Sequence, residues 1–472
     1  MKQSRYVVGA TGAGGEHLLY NVENGAFVQL DETAYAAWKN DACAGELAGT
    51  LAARGLLTER SPEDQLDIQQ RLFARERAQT ESLELSIVPT YACNYRCPYC
   101  YELGHNKIKG KMDERTADAI MAFAQFQLER MGFSRMRVQW YGGDPSLALD
   151  EVAELSRRLI AWSEEHGISY SATMLTNANV IGEKEAKTIA DCRISSVYLT
   201  IDGPEELHNK RRIAANGSNS YERTIEAARH LRANGIALTA AMNTDKVNAL
   251  RYEELHRKLL EEEGISLSMV KLNDYGHFYG EAPFCAPDFD LFTHEDFFRA
   301  QFEEFAKYAH TAAELRDMLR PIRRFCTGQL DNYYIIDLLG DVYKCDGRVG
   351  ETPYVLFNLF EDQETWKFGE ITFDATHDAK CSACELLPVC QGSCFWERSC
   401  SGMPCHPFKT TIGDYLRLYR ELIGDVPGQI PGVIVLAEPY TPAELGWNEL
   451  ADSRDTTSPS VVANPGENGR LA

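Results

Sequence analysis

No apolar run in this chain approaches the length needed to span a bilayer, and its first residues, MKQSRYVVGATGAGG, lack the apolar core of a secretory signal. A cytoplasmic protein with no membrane partner is therefore expected. Positive charge is also in short supply: 48 Lys and Arg face 70 Asp and Glu, a formal net charge of -22. That balance repels a phosphate backbone, and no basic stripe with interleaved aromatics offsets it, which argues against nucleic acid as a partner. The remaining composition, 44% hydrophobic and 25% charged, is that of a globular protein, and 472 residues are too many for one ordinary core. What the chain does have is cysteine, 14 in all. Without an export signal these should be reduced thiols, so their clustering points to metal or catalysis rather than to a disulfide framework.

The pattern divides the chain into four parts. In residues 1–80, two short strands, His17 to Val22 and Ala26 to Leu30, flank an Asn24-Gly25 hairpin signal. Helices follow, one capped by Asp31, one ending at Gly55, and a polar helical linker from Pro62 to Gln79. In residues 81–315, apolar strands alternate with amphipathic helices in six repeats. Strands are expected at Leu83 to Val88, Met136 to Trp140, Ser169 to Leu175, Val197 to Ile201, Ile236 to Met242 and Leu267 to Leu272. Six such units make an α/β fold, a partial (β/α)6 barrel with its active face at the strand C-terminal ends. In residues 316–425 the alternation stops at Cys326 and cysteines dominate, as in a separate domain held by metal. Residues 426–472, with Ser458-Pro459-Ser460 and Asn464-Pro465-Gly466, are expected to be a disordered tail.

Cys93, Cys97 and Cys100 form C-x3-C-x2-C directly after the first strand of the repeats, in TYACNYRCPYCYE. Three thiolates at this spacing can hold three irons of a 4Fe-4S cube and leave the fourth open to a small molecule. A structural zinc site would need a fourth ligand, for which His105 is the nearest candidate. The motif, with Tyr99 as its aromatic, resembles the signature of the radical S-adenosylmethionine (SAM) superfamily. That resemblance implies a SAM molecule on the open iron and a 5'-deoxyadenosyl radical that abstracts hydrogen from an unactivated carbon. Gly142-Gly143-Asp144-Pro145 resembles the family's G-G-E-P turn, which receives the SAM amino group, with Asp for Glu. LTIDGPEELHNKRR resembles the S-x-D-G-P…H-D-x-x-R stretch of peptide-modifying members, with Thr200 for Ser and Asn209 for Asp. By that match Thr200 and Asp202 lie near the SAM ribose or the substrate, and Arg212 pairs with a carboxylate. Each also has a plain reading as strand, turn or surface residue. Asn177 is either a cofactor contact or a turn residue.

Downstream, Cys381, Cys384, Cys390 and Cys394 give C-x2-C-x5-C-x3-C, too dense for chance; spacing alone leaves iron-sulfur and zinc open. With Cys326, Gly340, Cys345 and Cys405 the pattern resembles the SPASM extension of radical SAM enzymes, which implies two auxiliary 4Fe-4S clusters and three clusters in total. By the family's interleaved ligation, Cys326, Cys345 and Cys394 hold the first, and Cys381, Cys384, Cys390 and Cys405 the second, with Cys400 as the alternative to Cys405. The stretch before Cys326, RDMLRPIRRF, has no cysteine, which leaves the first auxiliary cluster an open iron for a substrate thiolate; Cys285 is a competing fourth ligand. Asp346 matches the position of a general base in sulfatase-maturating relatives, against a plain reading as a surface or supporting carboxylate.

The N-terminal part resembles, by element order and location, the PqqD-like, winged-helix-like recognition module of maturases for ribosomally made peptides. Such modules take a leader peptide as an added strand; the plain reading is a cap on the barrel. Together the resemblances imply maturation of a precursor peptide bearing a leader, with an external electron donor such as flavodoxin or ferredoxin. A Cys sulfur to carbon thioether is the expected product; carbon-carbon linkage, epimerisation and formylglycine formation are the enzymatic alternatives. An iron-sulfur electron carrier, or a zinc-dependent binding protein, is the non-enzymatic one.

Overall fold

Five strands and three helices are built from residues 1–78. The structure, a computed structural model, describes residues 1–78, 81–100, 102, 108–272, 289–308, 310–366, 368, 373–394 and 405–445. Strands β1 (Lys2–Gln3) and β2 (Val7–Thr11) precede the expected hairpin of β3 (His17–Asn21) and β4 (Phe27–Leu30). Gly25 in its turn has φ +78°, which L side chains avoid. Helix α1 (Glu32–Lys39) starts where the Asp31 side chain accepts the Ala34 N–H. After α2 (Gly45–Ala53), β5 (Leu57–Thr58) pairs with β1, and α3 (Pro62–Arg77) opens on a Ser61–Asp64 capping box.

Six parallel strands follow at the expected places: β6 (Ser82–Val88), β7 (Arg135–Trp140), β8 (Ser169–Leu175), β9 (Ile194–Thr200), β10 (Ala237–Thr244) and β11 (Ser266–Lys271), paired in sequence order. Between them lie α4 (Glu114–Met131), α5 (Leu149–Glu165), α6 (Glu183–Asp191), α7 (Glu205–Arg211), α8 (Ser220–Ala233), α9 (Lys246–Ala249) and α10 (Tyr252–Glu263). Leu85, Ile87, Val138, Trp140, Val197 and Leu199 join helix residues such as Phe123, Leu155 and Leu231 in one core. Because the strands run parallel, their C-terminal ends share one edge of the sheet, and that edge carries the site.

The segment after Cys326 is not the separate body expected of it. Following α11 (His294–Ala306) and α12 (Ala312–Met318), β12 (Tyr333–Asp337) adds in parallel to β6, and β13 (Asp341–Tyr343) and β14 (Phe357–Asn358) extend the same sheet to nine strands. The reason is burial: β6 would otherwise expose an unpaired ladder, and Tyr333–Asp337 is buried at every position, which a free-standing strand could not achieve.

A second correction concerns the chain beyond 425. After α13 (Leu387–Cys390) and α14 (Phe408–Ile423), residues 433–437 form β15 (Val433–Ala437), antiparallel to β4. Val433 and Val435 are buried with Trp38, Leu51 and Leu56. The Pro and Gly residues around this stretch bound a strand rather than dissolve structure; 446–472 lie outside the described residues. The N-terminal sheet, in the order β15-β4-β3-β2, packs on α14, with Phe27 stacked on Tyr419 at 5.0 Å. Tyr6, Tyr20 and Phe27 share their core with Leu386, Phe408 and Leu416, so the module rests on the cysteine-rich segment. Among the described residues no helix is long and apolar enough to cross a membrane.

Candidate active site

The loop leaving β6 carries Cys93, Cys97 and Cys100 into a small apolar shell of Tyr95, Tyr99, Ala214 and Leu272. Burial pushes the Cys93 thiol up to about 12 and raises Cys97 and Cys100 as well. The three also act on one another, Cys97 raising Cys93, and Cys97 and Cys93 raising Cys100. Thiolates so enclosed form only against a cation, and this donor set fits a metal centre. Among the described residues no three His, Cys, Asp or Glu side chains are close enough to hold a single metal ion. His105 lies outside the described residues.

The glycine turn after β7 is a contact between loops. Gly142 has φ +117°, and a Cβ there would stand 2.6 Å from Thr90 O; at Gly143 it would stand 2.4 Å from Tyr91 O and 2.5 Å from Ala92 O. Only glycine lets this turn seat on the loop that leads to Cys93. Asp144 is buried, and its carboxylate accepts from Ser146 N at 2.9 Å, Ser146 Oγ at 2.5 Å, Thr176 Oγ1 at 2.8 Å and Asn177 N at 2.8 Å. It braces the β7 and β8 loops together. Asn177 in turn donates through Nδ2 to Asn94 Oδ1 at 2.8 Å and lies 3.6 Å from Cys93 Sγ, while its Oδ1 accepts the Asn179 N–H. It is a turn residue that also touches a cysteine of the motif.

Tyr99, Asp202 and Arg212 meet in one buried network. The Tyr99 hydroxyl donates to Asp202 Oδ2 and accepts from Arg212 Nη1 at 3.0 Å; Asp202 Oδ1 accepts the Asn243 N–H at 2.9 Å. Arg212 Nε has no protein partner, leaving one buried donor for a bound group. Thr200 ends β9, half-buried, two residues before Asp202 of this network. Asn209, which departs from the resembled pattern, holds α8 instead: its Oδ1 accepts from Ser220 Oγ at 2.8 Å and Tyr221 N at 2.9 Å. Arg211, which the sequence reading passed over, pairs with Asp245 at 3.0 Å and lies over the rings of Tyr99 and Phe289. Nothing in its local pattern separates it from Arg212.

The downstream cysteines gather in two places. Cys381, Cys384, Cys390 and Cys405 line one cavity of about 190 Å³, together with His406 and Lys409. Cys345 is raised to about 12 by burial first, with Asp346, Cys394 and Cys326 adding to it, and the turn after Cys326 seats against Lys344, where a Cβ on Gly328 would stand 2.6 Å from Lys344 O and 3.5 Å from Cys326 Sγ. Cys400 and Cys285 lie outside the described residues. Asp346 accepts from the Tyr333 hydroxyl at 3.0 Å, and burial raises its carboxyl. Glu102, absent from the expectations, is pushed up to about 7 by burial and then by Asp346 and Asp144. Its only sequence signal is its place two residues after Cys100.

The model of the Radical SAM superfamily matches residues 87–259. The chain carries a radical SAM domain. A cysteine-type anaerobic sulfatase-maturating enzyme of Clostridium novyi (strain NT) is 23% identical over 344 residues, 66% of this chain and 88% of that protein. The enzyme of the same description from Clostridium perfringens (strain ATCC 13124) is 25% identical over 346 residues, again 66% and 88%. Among solved structures, native anSMEcpe with bound AdoMet and Cp18Cys peptide aligns with TM-score 0.54 at 17% identity, covering 72% of this chain and 99% of that chain. This likeness shows the α/β radical SAM fold. A radical SAM enzyme works with SAM and a 4Fe-4S cluster, and the three thiols after β6, Cys97 buried and Cys93 and Cys100 partly buried, suit that cluster.

Proposed function

We propose that this radical SAM enzyme is a maturase of a peptide or protein substrate, with Cys93, Cys97 and Cys100 holding the catalytic cluster. Cys326, Cys345 and Cys394 would hold a first auxiliary cluster and Cys381, Cys384, Cys390 and Cys405 a second. One observation carries the reading: the radical SAM domain over residues 87–259 is followed by a cysteine-rich segment in which Cys381, Cys384, Cys390 and Cys405 line a single cavity. When bound, the cluster and SAM supply a radical that removes a hydrogen atom from substrate carbon.

The chain's own residues do the rest. Tyr99, Asp202 and Asn177 shape the cofactor pocket, Gly142, Gly143 and Asp144 set the turn beneath it, and Arg212 offers its free N–H to a carboxylate. Thr200 stands at the rim. Asp346, with its carboxyl raised, accepts the proton that the substrate releases. The N-terminal module receives the leader of a precursor peptide, and a flavodoxin or ferredoxin supplies electrons from outside. Our preferred product is a thioether between a Cys sulfur and a carbon of the same peptide. Formylglycine formation is a second reading, favoured by the likeness to sulfatase-maturating enzymes and by the Asp346 position.

Anaerobically reconstituted protein tests the class. About twelve irons per chain are expected for three four-iron clusters, with 5'-deoxyadenosine formed from SAM on reduction and lost in a Cys93→Ala, Cys97→Ala, Cys100→Ala variant. Zinc in place of iron, or no cleavage in the wild type, would refute it. Mass spectrometry of a reacted cysteine peptide separates the products: a thioether loses two hydrogens and keeps its sulfur, whereas formylglycine made from Cys loses the sulfur.

A further inference from the structure

On the reading that Cys326, Cys345 and Cys394 hold the first auxiliary cluster, the residue before Cys345 acquires a part of its own. Lys344, directly after β13, is 8% exposed. Its Nζ donates to Leu330 O at 2.7 Å, Asp331 O at 3.1 Å and Tyr333 O at 2.6 Å, and stands 4.4 Å from the centre of the Tyr334 ring. Burial pulls the amine down to about 7, yet only the ammonium has a hydrogen for each of three carbonyls, so the geometry calls for the charged form. These acceptors are neutral main-chain groups. The Asp331 carboxylate is paired instead with Arg77 Nε at 2.8 Å, and Lys344 has no ion pair among the described residues.

The contacts join two segments of the proposed site. Leu330, Asp331 and Tyr333 follow the turn of Cys326, and Gly328 in that turn leaves room for Lys344 O, which a Cβ would approach to 2.6 Å. Side chain and backbone of Lys344 therefore both fix the Cys326 turn against Cys345. Tyr333 is held from both sides of that cysteine: Lys344 donates to its carbonyl, and its hydroxyl donates to Asp346 at 3.0 Å. The charge has a second effect. Reduction adds negative charge to an iron-sulfur cluster, whose potential follows the net charge and hydrogen bonding around it. A desolvated cation one residue from a ligand favours the reduced state, and more strongly than the same charge in water would.

We propose that Lys344 is the positioning residue of the first auxiliary site: its ammonium locks Cys345 to the segment after Cys326 and raises the reduction potential of the cluster that they hold. The test uses full-length, anaerobically reconstituted enzyme as wild type, Lys344→Gln and Lys344→Arg. Iron per chain is counted, and each cluster is titrated against potential by electron paramagnetic resonance. Lys344→Gln keeps a polar side chain without the charge. It should either lose the first auxiliary iron, about four of twelve, or keep it with a reduced-to-oxidised ratio at least about tenfold lower at a given potential, a fall of about 59 mV for one electron. Lys344→Arg, which keeps the charge and has donors for the same carbonyls, should hold that iron with less than about a tenfold change. The proposal falls if Lys344→Gln keeps the iron with a smaller shift than that. It falls equally if Lys344→Arg fails as Lys344→Gln does, because the site would then require the shape of lysine rather than its charge. A wild type that carries only about four irons, at the first motif, has no auxiliary cluster and refutes the auxiliary-cluster reading instead.

Discussion

Arg211 and Asp245 form an ion pair at 3.0 Å with both side chains buried, 8% and 1% exposed. Asp245 also caps α9 through the Val247 and Asn248 N–H groups, and Arg211 donates to Asn243 O on β10. The pair thus ties α7 to the end of β10, under the ring of Tyr99. Replacing Arg211 by Met would leave the Asp245 charge buried without its partner. A loss of about 3–5 kcal/mol is expected, measured by urea unfolding under anaerobic conditions. A change below about 1 kcal/mol would mean that the carboxylate finds solvent.

Gly143→Ala should act locally. The added methyl meets two backbone oxygens, of Tyr91 and Ala92, that cannot swing aside. A cost of about 1–3 kcal/mol is expected, concentrated in the loop before Cys93. Iron at the first motif and SAM cleavage should fall together while the auxiliary iron is retained, as read by iron analysis and electron paramagnetic resonance.

Asp337 gives a pH signature away from the cysteines. Its carboxylate accepts from the Tyr91 hydroxyl at 2.7 Å and from the Leu339 and Asp341 N–H groups, yet burial pushes its carboxyl up to about 6 from 3.8. Between those values the folded protein binds more protons here than the unfolded chain does. Stability from this group is therefore full below about pH 4 and is lost as pH rises toward 6. Asp337→Asn should flatten that dependence by on the order of 3 kcal/mol, seen as converging unfolding midpoints across pH 4 to 6. Parallel pH profiles in variant and wild type would contradict it.

Asp346→Asn separates proton transfer from radical formation. Its hydrogen bond from Tyr333 can persist with an amide oxygen. Iron content and 5'-deoxyadenosine formation should stay within about twofold, while peptide product falls about 100- to 10,000-fold. Equal loss of both activities would assign Asp346 a supporting part.

The sequence made the repeats legible because each strand and helix writes its own period: the strand Ser169–Leu175 falls on the expected residues. The cysteine spacing made the chemistry legible for the same local reason. Elements whose partners are remote escaped. Tyr333–Asp337 reads as a short buried run, and nothing near it says that its neighbour is β6. The five residues of β15, set among prolines and glycines, resemble a tail until β4 is there to pair with them. Arg211 acquires significance only when folding brings Asp245 beside it.

The closure of the N-terminal sheet by the last strand also has a meaning for synthesis. The first module leaves the ribosome early with a bare β4 edge, and its cis partner follows about 400 residues later, which at 5–20 residues per second is a wait of about 20–80 s. For that interval the nascent chain exposes a strand edge to any extended segment in the cell, so production of this enzyme should depend on chaperone supply more steeply than its size alone would imply.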